Sequence, residues 1–67
     1  MSTAKVLEII AEGNSIENAL DNAVKDASMT VNNIQSVYVK DVKAMVEGNA
    51  ITRYRVDTKL TFVLETS

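Results

Sequence analysis

The chain of 67 residues has no cysteine, no histidine, no proline and no tryptophan. Each absence removes a class of explanation. Without cysteine there is no disulfide to hold a small domain together, and without cysteine and histidine there is no zinc site of the usual kinds. The same two absences remove the common nucleophile–base pairs of covalent catalysis, so an enzyme is not expected. Aromatic residues are scarce, at two Tyr and one Phe. The formal net charge of −2 provides no basic footprint for nucleic acid or an anionic membrane surface. No apolar run approaches the 18 residues of a membrane helix, and no signal peptide is visible, which makes the cytoplasm the default location. The nine carboxylates contain no D-x-D-x-D-G run and hence no EF-hand loop.

What is present is alternation. Over Ile51 to Leu64, Tyr54, Val56, Thr58, Leu60, Phe62 and Leu64 fall on one face, and Arg53, Arg55, Asp57, Lys59, Thr61 and Val63 on the other. Period two over this length predicts a half-buried strand well above the usual 5–6 residues. Ala4 to Glu12 reads as a first strand, apolar on both sides apart from Glu8, and therefore central in the sheet or at a subunit contact. Gly13-Asn14 breaks it. Ser15, or alternatively Asn14, caps a helix in which Ile16, Ala19, Leu20, Ala23, Val24 and Ala27 recur at helical spacing, with an end expected near Thr30. A second strand runs from Ile34 to about Val46. In it Val37 and Val39 face the helix, while Ser36, Tyr38, Lys40 and Val42 face away. Glu47-Gly48-Asn49 turns it into the third strand.

The fold class is thus α+β, in the order β-α-β-β, as one domain over residues 1–67: a three-stranded antiparallel sheet wrapped around one amphipathic helix. Tyr54, Val56, Leu60 and Phe62 are expected in the core. A single helix covers a single face, so the other face is left polar. A chain this short buries only about 60% of its unfolded surface. With no disulfide or zinc available, a homo-oligomer is expected.

The Gly-polar-Ser corner (Glu12-Gly13-Asn14-Ser15), the Ala-rich helix, the Asn-rich corner (Val31-Asn32-Asn33-Ile34) and the hairpin closing with Tyr54-Arg55-Val56 and Phe62-Val63-Leu64 together resemble the dodecin family, over Ala4 to Glu65. The resemblance implies a hollow, roughly spherical homododecamer with helices outside and sheets inside. It also implies binding or storage of flavins, riboflavin or its mononucleotide FMN, without turnover. In the flavin binders a Trp early in strand two stacks on the ring, and a Gln after the strand-three Tyr bonds its edge. Here those positions hold Ser36 and Arg55. Much stacking area is lost with the indole, so flavin binding of the usual kind is expected to be weakened or lost. The same two departures are more similar to a subgroup described as calcium-binding.

Four residues are candidates for ligand binding. Arg55 offers a planar, bidentate cation to a ligand; the alternative is an ion pair with Glu8, Asp57 or an acidic residue of a neighbouring subunit. Tyr38 offers a stacking surface, with Arg55 as a cation–π partner, or else packs in an interface. Ser36 leaves the site open. Asp41 falls by strict alternation on the helix-facing side, where a lone carboxylate is costly; a bulge or a strand end would let it reach water or Lys43. For calcium, Glu12, Glu47, Asp57 and Glu65 lie nearest turns and strand ends, where symmetry could gather them. A purely structural or adaptor oligomer without any ligand is the competing expectation.

Overall fold

The computed structural model describes residues 2–65. Strand β1 is Ser2–Gly13, helix α1 Ile16–Ser28, strand β2 Ile34–Glu47 and strand β3 Ala50–Glu65. The sheet order is β1-β3-β2, with both pairings antiparallel. The alternating strand β3 is therefore the central one. Of the two placements expected for β1, central in the sheet or at a subunit contact, the central one is excluded: β1 is an edge strand, with Val6 and Ile10 more than half exposed. Its apolar outer residues are left open to a subunit contact.

Helix α1 begins where the side-chain chemistry asks it to. Ser15 adopts extended backbone geometry, and its Oγ accepts from the Asn18 N–H at 3.0 Å. The Asn18 side chain in turn accepts from the Asn14 N–H at 2.9 Å, so two otherwise orphaned donors are satisfied. Glu17 lies in the first turn and Lys25 in the last, each complementing the helix dipole. The helix ends at Ser28, two residues short of Thr30, with Met29 as its cap. Gly13 permits the corner. A Cβ there would stand 2.5 Å from both the Ala19 backbone nitrogen and Asn18 Oδ1.

The helix lies over β1 and β3 and barely reaches β2. Ala19, Ala23 and Ala27 are the side chains it buries. Their small size brings it close to Val56, Thr58, Leu60 and Phe62, which complete the core. Tyr54, expected in that set, is only half-buried. Thr58 is fully buried, and its hydroxyl donates to the Ile9 carbonyl at 2.7 Å.

Gly48 and Asn49 close the hairpin with φ of +57° and +63°. Both values are positive, as in the turn whose twist matches paired strands. The hairpin extends far beyond the helix, and the molecule measures 54 × 19 × 13 Å. Val39, Val42, Val46 and Ile51 are left substantially exposed along it.

Candidate functional site

The face away from the helix is built in rows by the strand register. Glu8 pairs with Lys59 and Lys59 with Tyr38; Ile10 pairs with Asp57 and Asp57 with Asp41; Glu12 pairs with Arg55 and Arg55 with Lys43. The register slips by one residue between Val39 and Asp41, so Lys40 is a bulge. The bulge resolves the placement of Asp41. Strict alternation puts it under the helix, but the structure sets it on the polar face, opposite Asp57. The same slip corrects Val42, expected to face away: it pairs with Val56, on the helix side.

Arg55 does not point at a free site. Its Nε and Nη2 donate to Glu12 Oε2 at 2.8 and 2.6 Å. Arg53 Nε donates to Glu12 Oε1 at 3.0 Å, and its Nη1 to Glu47 Oε1 at 3.2 Å. The partner is thus neither Glu8 nor Asp57 but the residue directly across the β1–β3 ladder. The Arg55 hydrogen bond, helped by the charges of Arg53 and Arg55, holds the Glu12 carboxyl below its ordinary value. Glu12 and Glu47, two of the candidate calcium carboxylates, are each already matched to a guanidinium. The side chain of Glu65 lies outside the described residues.

A pocket of about 120 Å³ opens on this face, lined by Ile10, Asp41, Lys43, Arg55 and Asp57. It brings together two of the four candidate ligand residues, Asp41 and Arg55. Ser36 and Tyr38 stand along the same face but outside the pocket. Tyr38 is 66% exposed and sits beside Lys59 rather than beneath Arg55, so the expected cation–π pairing is not formed within the chain. Asp41 is exposed, and its Oδ1 accepts from the Val42 N–H at 3.0 Å; it is not bonded to Lys43. Ile10 and Lys43 were not anticipated as lining residues. Their signal is a shared face, readable only once the register is known.

Glu8 and Asp57 form a second cluster. Glu8 accepts from Lys40 Nζ at 3.4 Å. Its carboxyl is held low, first by a hydrogen bond with Asp57 and then by Lys40. The Asp57 carboxyl is pushed up, first by desolvation and then by Glu8. No group of three or more Asp, Glu, His or Cys among the described residues is arranged to hold a metal ion. Also among the described residues, no helix is long and apolar enough to cross a membrane.

The comparisons with known proteins identify the family. The sequence profile of the dodecins matches residues 3–65. The chain belongs to the dodecin family. Solved structures agree. Dodecin from Streptomyces coelicolor is 30% identical, with 98% of this chain and 96% of that one covered and a TM-score of 0.88. Dodecin from Streptomyces davaonensis is 24% identical over 97% of each chain, with a TM-score of 0.89. A Thermus thermophilus protein is 20% identical over the full length of both chains, with a TM-score of 0.90. No curated protein matches the sequence. The β-α-β-β order with one helix and a three-stranded antiparallel sheet, expected from the sequence, is the dodecin fold.

Proposed function

We propose that the chain is the non-enzymatic subunit of a hollow, spherical homododecamer, cytoplasmic in location, which binds or stores a small ligand on the polar face of its sheet. The observation that carries this reading is the face itself. It belongs to a family of small-ligand binders, is uncovered by the helix, and holds the pocket between Asp41, Lys43, Arg55, Asp57 and Ile10.

The need for partners follows from surface. The chain exposes 4830 Å², against about 4200 Å² for a compact monomer of 7.3 kDa. The excess lies where Val6, Ile10, Val42, Val46 and Ile51 stand open. Subunit contacts are the means of removing them from water.

Flavin of the usual kind fits poorly. Ser36 supplies no ring to stack on, and Arg55 is spent on Glu12 rather than offering an amide edge. The ligand is therefore something other than a tightly stacked flavin, and calcium is the alternative that the family likeness offers. Size-exclusion chromatography with light scattering tests the assembly: the expected mass is that of twelve 7.3-kDa subunits, and a monomer or dimer at micromolar concentration refutes it. A thermal-shift screen over riboflavin, FMN, nucleotides and divalent ions tests the ligand. Riboflavin fluorescence is expected to stay unquenched in the native protein and to be quenched on Ser36→Trp with Arg55→Gln. Calorimetry without heat on calcium addition removes the calcium branch.

A second reading is favoured by one observation, the internal pairing of Arg53, Arg55 and Lys40. In that reading the charged face serves assembly alone, as a structural or adaptor oligomer. Arg55→Ala then lowers thermal stability, and no small molecule in the screen raises the melting temperature.

A further inference from the structure

We propose that Glu8 and Asp57 hold a single proton between them and that this proton acts as a pH-sensitive switch on the charge of the polar face. The inference does not depend on whether the face holds a ligand.

The geometry begins with an atom. Asp57 Oδ1 is shut off from solvent and faces no donor among the described residues. A carboxylate oxygen in that position carries the full cost of lost hydration. Directly opposite, across the β2–β3 ladder, stands Asp41. Like charges in facing positions of a sheet repel. On the other side, Glu8 is the diagonal neighbour of Asp57 across the β1–β3 ladder, one residue pair along on the same polar face. Three carboxylates from three strands thus converge, with Asp57 in the middle and the least hydrated.

The surrounding cations do not cancel this. Lys40, on β2, is drawn to Glu8. Arg55, the neighbour of Asp57 on the same face of β3, is bound to Glu12 on β1. Lys43 on β2 and Lys59 on β3 complete the charged groups on this face around Asp57 and form no ion pair among the described residues. Helix α1 packs on the opposite face and contributes none.

A proton on Asp57 relieves all three strains together. It makes Asp57 a donor, and the Glu8 carboxylate accepts from it. It removes the repulsion from Asp41. It leaves Glu8 ionised, where Lys40 favours it. Two carboxylates that share a site lose their protons as a pair, one early and one late. Asp57 is the late member, because desolvation and Glu8 push it up, whereas Glu8 is held down. The pocket charge follows. Lys43 and Arg55 face Asp41 and Asp57 across it; with the proton the pocket carries one excess positive charge, and without it the charges balance.

Carbon-detected NMR of the side-chain carboxyls, titrated on the assembled protein, is the test. Asp57 is expected to titrate above its ordinary 3.8 and Glu8 below its ordinary 4.5. In Glu8→Gln the Asp57 midpoint is expected to fall, because the neighbouring negative charge is gone and the new amide NH2 can donate to an ionised Asp57. An Asp57 midpoint at or below 3.8, or one that Glu8→Gln does not move, overturns the proposal. Thermal melts supply an independent readout. A carboxyl raised in the folded state contributes its stability below the unfolded midpoint and loses it as pH rises through the folded one. Asp57→Asn stays neutral throughout, so its melting temperature should gain on the native protein as pH rises through the Asp57 midpoint. A difference constant with pH would count against the switch. Should Asp57→Asn fail to assemble, the titrations of the native protein and Glu8→Gln still decide.

Discussion

Glu12 and Arg55 stand directly opposite each other across the β1–β3 ladder, joined by two hydrogen bonds of 2.6 and 2.8 Å onto one carboxylate oxygen, while Arg53 takes the other oxygen. One edge-strand carboxylate therefore gathers two guanidiniums of the central strand. Both ends are about 40% exposed, and isolated pairs at such exposure contribute little. The shared, two-pronged geometry is what distinguishes this one.

That network should be visible in acid. The Glu12 carboxyl lies below its ordinary 4.5 in the folded chain, chiefly through Arg55. Its contribution is present above the unfolded midpoint and is lost as pH falls through the folded one. Glu12→Gln is therefore expected to lower the melting temperature at pH 7, with the difference closing in acid. Arg55→Gln is expected to raise the Glu12 midpoint towards 4.5 without restoring it fully, since Arg53 remains. Carboxyl NMR measures both.

Leu60 is fully buried between the sheet and α1. Leu60→Ala should cost about 2–5 kcal/mol through lost burial and the cavity left behind. Small domains have only about 5–15 kcal/mol in total. Urea unfolding should show a large fall in the midpoint, with disassembly preceding or accompanying it.

The two glycines are expected to respond differently. Gly13→Ala places a Cβ against the backbone of Ala19, and the helix must shift; roughly 1–3 kcal/mol is the expected loss. Gly48→Ala meets no atom within 4 Å, and its cost is the left-handed φ of +57°, roughly 1–2 kcal/mol. Gly48→Asn should recover part of that loss, because Asn49 already occupies this conformation. Gly13→Asn should recover none. Melting temperatures of the four variants separate crowding from backbone strain.

Thr58→Val removes the hydroxyl that donates to the Ile9 carbonyl and keeps the shape of the side chain. About 1 kcal/mol should be lost. Hydrogen exchange should rise first in β1, the edge strand that this bond ties to the centre of the sheet.

Most of the architecture was legible in the sequence because it rests on local rules. The alternation from Tyr54 to Leu64 identified β3 and its buried face, and the Ser15 cap and the Ala-rich stripe located α1. What was not legible is what depends on register. The pairing of Glu12 with Arg55 needs the offset between β1 and β3, which no local pattern carries. For Asp41, counting in twos puts it under the helix, and the cost of a buried carboxylate already calls for a bulge or strand end; the bulge at Lys40 supplies it, but only the register shows that Asp41 then faces Asp57 rather than bonding Lys43. Strand β1, apolar on both sides, fits either the centre of the sheet or a subunit contact, and only the strand order decides against the centre. The family likeness pointed to Ser36, Tyr38, Asp41 and Arg55, of which the chain gathers only Asp41 and Arg55 into its pocket.

Lys40 belongs to no pair in the ladder, and this freedom lets its side chain cross over β3 to Glu8. Strands β1 and β2 share no backbone hydrogen bond with each other. The unpaired residue therefore provides a side-chain contact between them that the backbone does not. One inserted residue thus lets a single side chain span the full width of the sheet, at an exposure where the pair itself adds little to stability.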